Sequence, residues 1–250
     1  MKRYIIRRIL SGILTVLIVF ALSFIIIKAA TGDPIKTLMG KDNNDPELRA
    51  ALEEKWGLNE PEYKQFFSYL GNAMHGDLGT SITFNRPVRE MIGEKIAPTL
   101  LLGITAAIIA LLLGTALGIY GARHEGSFLD TVISAISYGF DAMPSFWLGL
   151  MLMLVFSLNL GWFPSSGFSS FKAMILPAIA VSTIPISTIT RTTRSAMLEV
   201  IRQDYMRTAR AKGLSEYVIV LKHGLKNAMI PVVTILGIQL GRTMGGSIVT

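Results

Sequence analysis

Apolar positions along this chain gather into five long runs separated by polar stretches. The first covers residues 9–27, directly after Lys2, Arg3, Arg7 and Arg8, and its 19 residues contain no charge. At 1.5 Å per residue that is roughly 28 Å of helix, enough to cross a bilayer core. A cleavable signal peptide also starts basic, but its apolar region is only about 7–15 residues long. An uncleaved membrane span is therefore predicted. The second run is 99–121, and the third, 131–160, is interrupted by Asp141 and Pro144. The fourth, 175–189, is short and contains Pro177 and Pro185, and the fifth begins near residue 229 and is still apolar at Thr250. The pattern predicts an all-α integral membrane protein, a polytopic helical bundle with five visible spans. Because the fifth run has no polar flank, aromatic anchor or basic stop, the chain is expected to be a truncated part of a longer one.

Composition agrees with the pattern and charge orients it. Charged residues are 16% of the 250 and mean hydropathy is +0.49, whereas a soluble domain carries about a quarter charged residues. Residues 1–8 hold four cations and no anion, 31–98 hold eight cations and eleven anions, and 190–228 hold eight cations and three anions. With the N-terminus cytoplasmic, 31–98 and 161–173 fall outside while 122–130 and 190–228 fall inside, so both strongly basic segments share the cytoplasmic side. The net charge of +7 is thus explained by topology, and no nucleic-acid partner is implied. Three regions follow. They are a cytoplasmic N-terminus with the first span (1–30), an extracytoplasmic segment (31–98) and a core of spans with a cytoplasmic loop at 190–228 (99–250).

Little in the chain points to catalysis. It has no cysteine, no G-x-x-x-x-G-K-[ST] phosphate loop, no H-E-x-x-H and no G-x-S-x-G elbow. His75, His124 and His223 lie in three different polar segments, on both sides of the membrane, so no metal site is expected. No catalytic residue is assigned, and ATP binding within this chain is not expected.

The loop 190–228 is the most informative stretch. Met197, Val200, Ile201, Tyr205 and Ala209 recur at three- and four-residue steps, which predicts one helical face. Gly213 then interrupts, a natural C-terminal cap because glycine accepts positive φ. A second amphipathic stretch follows through Leu214, Tyr217, Val218, Leu221 and Leu225. Two short helices hinged at a glycine, with Arg207, Arg210 and Lys212 before the hinge, make a basic knob beneath the membrane. The pattern alone fits either a helix pair on anionic lipid or a docking element for a cytoplasmic partner.

At this point a family resemblance enters. The run Gln203-Asp204-Tyr205-Met206-Arg207-Thr208-Ala209-Arg210-Ala211-Lys212-Gly213-Leu214, followed by His223-Gly224-Leu225-Lys226-Asn227-Ala228-Met229-Ile230-Pro231, resembles the cytoplasmic coupling loop of ABC importer permeases. It is closest to the version in dipeptide, oligopeptide and nickel permeases. The wider Glu-Ala-Ala pattern is poorly met, since its positions hold Arg207, Thr208 and Ala209. Gly32-Asp33-Pro34, Gly76-Asp77-Leu78-Gly79-Thr80-Ser81, Pro144-Ser145-Phe146-Trp147 and Gly161-Trp162-Phe163-Pro164 agree, so the resemblance covers essentially the whole chain. It implies a permease subunit of the bacterial plasma membrane that pairs with a second, similar permease and sits on two ATPase subunits, which bind ATP and magnesium. An extracytoplasmic binding protein would deliver peptides or nickel-type complexes for alternating-access import. The coupling surface would be Asp204, Tyr205, Arg207, Thr208, Ala209, Arg210, Ala211, Lys212, Gly213 and Leu214. Six spans are usual in the family, one more than here.

Other positions carry expectations of their own. Within 31–98, short helices are predicted at 46–55 and 63–74, either as a cap on the outer mouth or as part of the surface that meets the binding protein. Asp141 and Arg242 lie at comparable depth in their spans, so they are expected to pair or to line the substrate path, where Asp141 could meet a peptide ammonium. Gly114 and Gly118, and likewise Gly237, Gly241 and Gly245, recur every four residues and predict close helix packing. Pro144, Pro177 and Pro185 predict kinks. A contrasting reading is an ion-driven secondary transporter or channel that works without ATPases; a membrane-bound enzyme is disfavoured by the missing motifs.

Overall fold

The computed structural model describes residues 2–31, 35, 39, 45–55, 57–81, 83–167 and 170–244. Gly32-Asp33-Pro34, Gly245 and the stretch up to Thr250 lie outside them. Among the described residues the protein is helical throughout, with one isolated antiparallel bridge between Thr80 and Pro87. The chain divides into two compact units, Met1–Glu94 and Lys95–Thr250.

In the first unit, α1 (Lys2–Thr31) is the predicted span, and its apolar side chains face outward. The predicted short helices are α2 (Pro46–Lys55) and α3 (Glu62–Met74). α3 runs antiparallel to the C-terminal half of α1. Phe66 meets Phe20 and Phe24 at ring distances of 5.6 and 5.5 Å, Tyr69 stacks on Phe20, and Lys28 pairs with Glu62 at 3.2 Å. Phe20 and Phe24 lie within the apolar run of α1, so α3 packs along part of that run.

The second unit is organised around one helix. α4 (Val88–Arg123) enters it at Lys95; α5 (Phe128–Ala142) and α6 (Ser145–Leu152) follow, α6 running on as a π-helical segment, Met153–Asn159. Next come α7 (Phe171–Ile201), α8 (Asp204–Ala211), the short α9 (Glu216–Val218), a π-helical segment at Ile219–Gly224, and α10 (Leu225–Met244). The most apolar window of α7 is 61% buried, against 22% for α4 and 28% for the last helix, so α7 is the centre. Among the described residues four helices are long and apolar enough to span a membrane, and the bent pair α5 and α6 makes five if it counts as one span.

One of the sequence-derived spans bends where expected and another needs correction. The third run is interrupted at Pro144: α5 and the α6 segment meet at 98°. Pro144 has no N–H to continue α5 and biases the residue before it away from helical backbone. Met143 accordingly takes an extended conformation with ψ at 126°. The fourth run is far longer than 175–189. Ser182, Thr183, Ser187, Thr190 and Thr193 are buried against neighbouring helices. Hydroxyls that lower hydropathy do not end a helix whose polar face is covered by protein, and Ser182 and Thr183 donate to the carbonyls of Ile179 and Ala180.

Small residues decide how close α4 comes to α7. A Cβ on Gly114 would fall 2.8 Å from Ile189 Cγ2, and one on Gly118 would fall 2.5 Å from Thr193 Cβ and 2.7 Å from the Thr190 carbonyl. Ala106 and Ala110 continue the same four-residue stripe and are buried. Gly237 and Gly241 behave differently: among the described residues nothing lies within 4 Å of where their Cβ atoms would be. Gly245, the third member of that expected stripe, lies outside the described residues.

Candidate functional site

The basic end of the second unit is built on Met206. α7 ends at Ile201, Gln203 takes extended backbone (ψ 150°), and α8 restarts at Asp204. Met197, Val200 and Ile201 thus belong to one helix and Tyr205 and Ala209 to another, so the single face read from their spacing is corrected to two. Met206 (0% exposed) and Ala209 point inward onto Ile219, with Val200 and Ile201 packed against them. Gly224 lets this happen, because its missing Cβ would stand 3.3 Å from both Met206 Cε and Met197 Cε. The second short helix is also revised: the helix from Glu216 runs on to Thr243 as the last span.

Polar contacts hold α8 in place. Asn227 donates to the Tyr205 hydroxyl at 2.8 Å, Arg210 Nε donates to Glu216 at 2.7 Å, and Thr208 donates back to the Asp204 carbonyl. At the C-terminus Gly213 has φ +75°. Its N–H donates to the Arg210 carbonyl at 2.9 Å, and Leu214 N–H donates to the Ala209 carbonyl at 3.4 Å. This pair of bonds is a Schellman closure, which needs a left-handed residue at its turn. Asp204 at the start and Arg210 near the end complement the helix dipole. Tyr205, Arg207, Thr208, Arg210, Ala211, Lys212 and Leu214 remain exposed. The result is a short, rigidly seated helix with a basic outer surface.

Above it, two arginines of α7 and Arg202 just past its end bind acids of the 122–142 segment. Arg202 reaches Glu125 at 3.1 Å, Arg194 grips Asp130 through two bonds of 2.6 Å, and Arg191 reaches Asp141 at 3.1 Å. Arg191 also lies over the Tyr138 ring, 5.3 Å from its centre. Asp130, 5% exposed, additionally accepts from Gly126 N–H at 3.0 Å, and its own N–H is capped by Ser127 Oγ. Sequence reasoning missed this fork; Ser127-x-x-Asp130 is a capping-box spacing that could have marked the start of α5. The expected pairing of Asp141 with Arg242 is corrected, since Arg191 supplies the cation and Arg242 is exposed. Depth alone could not choose between two arginines of different helices. Of the eight cations in 190–228, five have carboxylate partners. Lys212, Lys222 and Lys226 are exposed and have no ion pair among the described residues. No cluster of potential metal ligands occurs among them either.

The architecture is that of a multi-pass helical membrane protein, bent at a proline and carrying a braced helix at its basic end. Residues 114–250 match the family model described as binding-protein-dependent transport system inner membrane component, and residues 1–103 match that of its N-terminal region. The oligopeptide transport system permease protein AppB of Bacillus subtilis is 43% identical over 264 residues, covering 100% of this chain and 82% of that protein. The glutathione transport system permease protein GsiC of Salmonella choleraesuis is 43% identical over 249 residues, covering 100% and 81%. GsiC of Escherichia coli K12 is 41% identical with the same coverage. The chain belongs to the family of binding-protein-dependent transport system inner membrane components, the permeases of ABC importers.

Proposed function

We propose that this permease carries small peptides into the cell, and that α8 with Gly213 couples transport to ATP hydrolysis by partner subunits. In this reading the N-terminus is cytoplasmic, and an extracytoplasmic binding protein delivers the peptide. A second, homologous permease completes the path, and two ATPase subunits bind ATP and magnesium beneath the basic end. The names of the relatives, oligopeptide and glutathione permeases, support peptides over nickel complexes as cargo. The observation that carries the coupling assignment is the seating of α8. Met206, the Asn227–Tyr205 bond and the Arg210–Glu216 pair tie it to the last span. A displaced ATPase cleft gripping its basic surface would therefore move α7 and α10 as rigid bodies. Hydrolysis itself belongs to the partners, since this chain supplies packing, ion pairs and a lever.

Reconstitution of the whole importer tests the reading. With binding protein, labelled peptide and ATP, the intact assembly accumulates peptide, whereas Gly213→Val hydrolyses ATP without accumulation. Uptake driven by an ion gradient and indifferent to loss of the ATPase subunits contradicts the proposal.

A further inference from the structure

A groove of about 410 Å³ opens along α7 beside the start of α10, lined by Arg191, Thr192, Ser195, Ala196, Glu199 and Pro231. Its volume falls in the range of small-molecule sites, about 300–1,000 Å³. The lining has opposite charges at its two ends and hydroxyls between them. Glu199 is exposed and has no ion-pair partner among the described residues. Arg191 is held from one side only: a single Nη2 contact to Asp141 and the Tyr138 ring fix it, while 35% of its side chain stays accessible. Ionisable groups in a membrane-spanning helix face a water-filled cavity or pair with one another; Glu199 does the first, and Arg191, paired with Asp141 at the edge of the groove, does both.

Spacing sets the length of a solute that could bridge the two charges. Arg191 and Glu199 are eight residues apart on one helix, about 12 Å along the axis. An extended peptide spans about 3.3–3.6 Å per residue, so roughly 10–11 Å separate the ends of a three-residue chain. We infer that this groove binds a short zwitterionic peptide in transit, its carboxylate on Arg191 and its ammonium on Glu199, with Thr192 and Ser195 meeting the backbone between them. The inference rests on the peptide reading above and makes Arg191 and Glu199 specificity residues for it. It also revises the role expected of Asp141. That carboxylate orients the arginine fork, a positioning residue rather than the ammonium acceptor.

The test uses the complete importer in liposomes, with saturating binding protein and trialanine in free, N-acetylated and C-amidated forms. Glu199→Gln should lower the preference for free over N-acetylated peptide about tenfold and leave the preference over C-amide in place. Arg191→Gln, made together with Asp141→Asn so that no carboxylate is stranded, should do the reverse. A merely structural role lowers uptake of all three forms together, with both ratios unchanged, and that result overturns the assignment. So does efficient crosslinking of Glu199→Cys to the second permease in an assembly that still transports, because another helix then fills the groove. If the unaltered importer hydrolyses ATP and carries no peptide in any form, the cargo reading falls and this inference with it. Failure of the groove assignment alone leaves that uptake intact.

Discussion

A methyl group at Gly118 would have to share space with Thr193 and the Thr190 carbonyl, at 2.5 and 2.7 Å. Backbone cannot yield there without separating α4 from α7. Gly118→Ala is therefore expected to cost about 1–3 kcal/mol, read as earlier thermal unfolding in detergent. Gly237→Ala, where nothing lies within 4 Å among the described residues, should leave the melting of this chain unchanged. A larger loss at Gly237 than at Gly118 would contradict the packing described. Asp130 is the second sensitive residue. Asp130→Asn leaves Arg194 facing a neutral group in a half-enclosed site, and breaking one side of a buried ion pair costs about 3–5 kcal/mol. Exchanging the two residues, Asp130→Arg with Arg194→Asp, should recover part of that loss, and no recovery would mean that the charges act separately. Neither residue stood out in the sequence. The arginine read as one of eight loop cations and the aspartate as loop, because an ion pair 64 residues apart leaves no periodic trace.

At the scale of elements, the proposed coupling rests on α8, a helix of eight residues. Gly213 has open space around it, so a side chain there is opposed by backbone geometry alone. Left-handed φ costs about 1–2 kcal/mol for an ordinary residue. Gly213→Val should thus preserve membrane insertion and ATPase binding while detaching ATP hydrolysis from uptake. Unchanged uptake would refute the lever. Truncating Met206 to Ala should loosen the seat by about 2–5 kcal/mol, visible as faster proteolysis near Lys212 and as partial uncoupling. The hinge glycine was legible because a left-handed cap has a residue signature. Its surroundings were less so, since a change of helix at Arg202 and Gln203 carries no glycine or proline to announce it. For the same reason Tyr205 was placed on the inner face that Met206 occupies. The bend after α5 was half legible: Pro144 predicted an interruption, but its 98° angle depends on where α6 finds packing. Hydropathy found the apolar cores of α1 and α4, 9–27 and 99–121, inside helices that run from Lys2 to Thr31 and from Val88 to Arg123, and it shortened α7 because buried hydroxyls look like the end of a span.

For the molecule as a whole, the apolar runs sufficed to give membrane class, while interior pairing came only from the coordinates. The two arginines of α7 and Arg202 just past its end, which swell the positive count, are largely neutralised by Glu125, Asp130 and Asp141. What remains for a partner to read is the surface carrying Lys212, Lys222 and Lys226. The chain contains no cysteine, so a single introduced thiol is unique in it. Lys212→Cys, placed beside the Gly213 hinge and carrying a short thiol-reactive crosslinker, is the most direct probe of the complete importer in its native membrane. The account predicts a crosslink to an ATPase subunit whose yield changes when ATP binds. A probe at residue 212 that labels only phospholipid, with and without nucleotide, would contradict it.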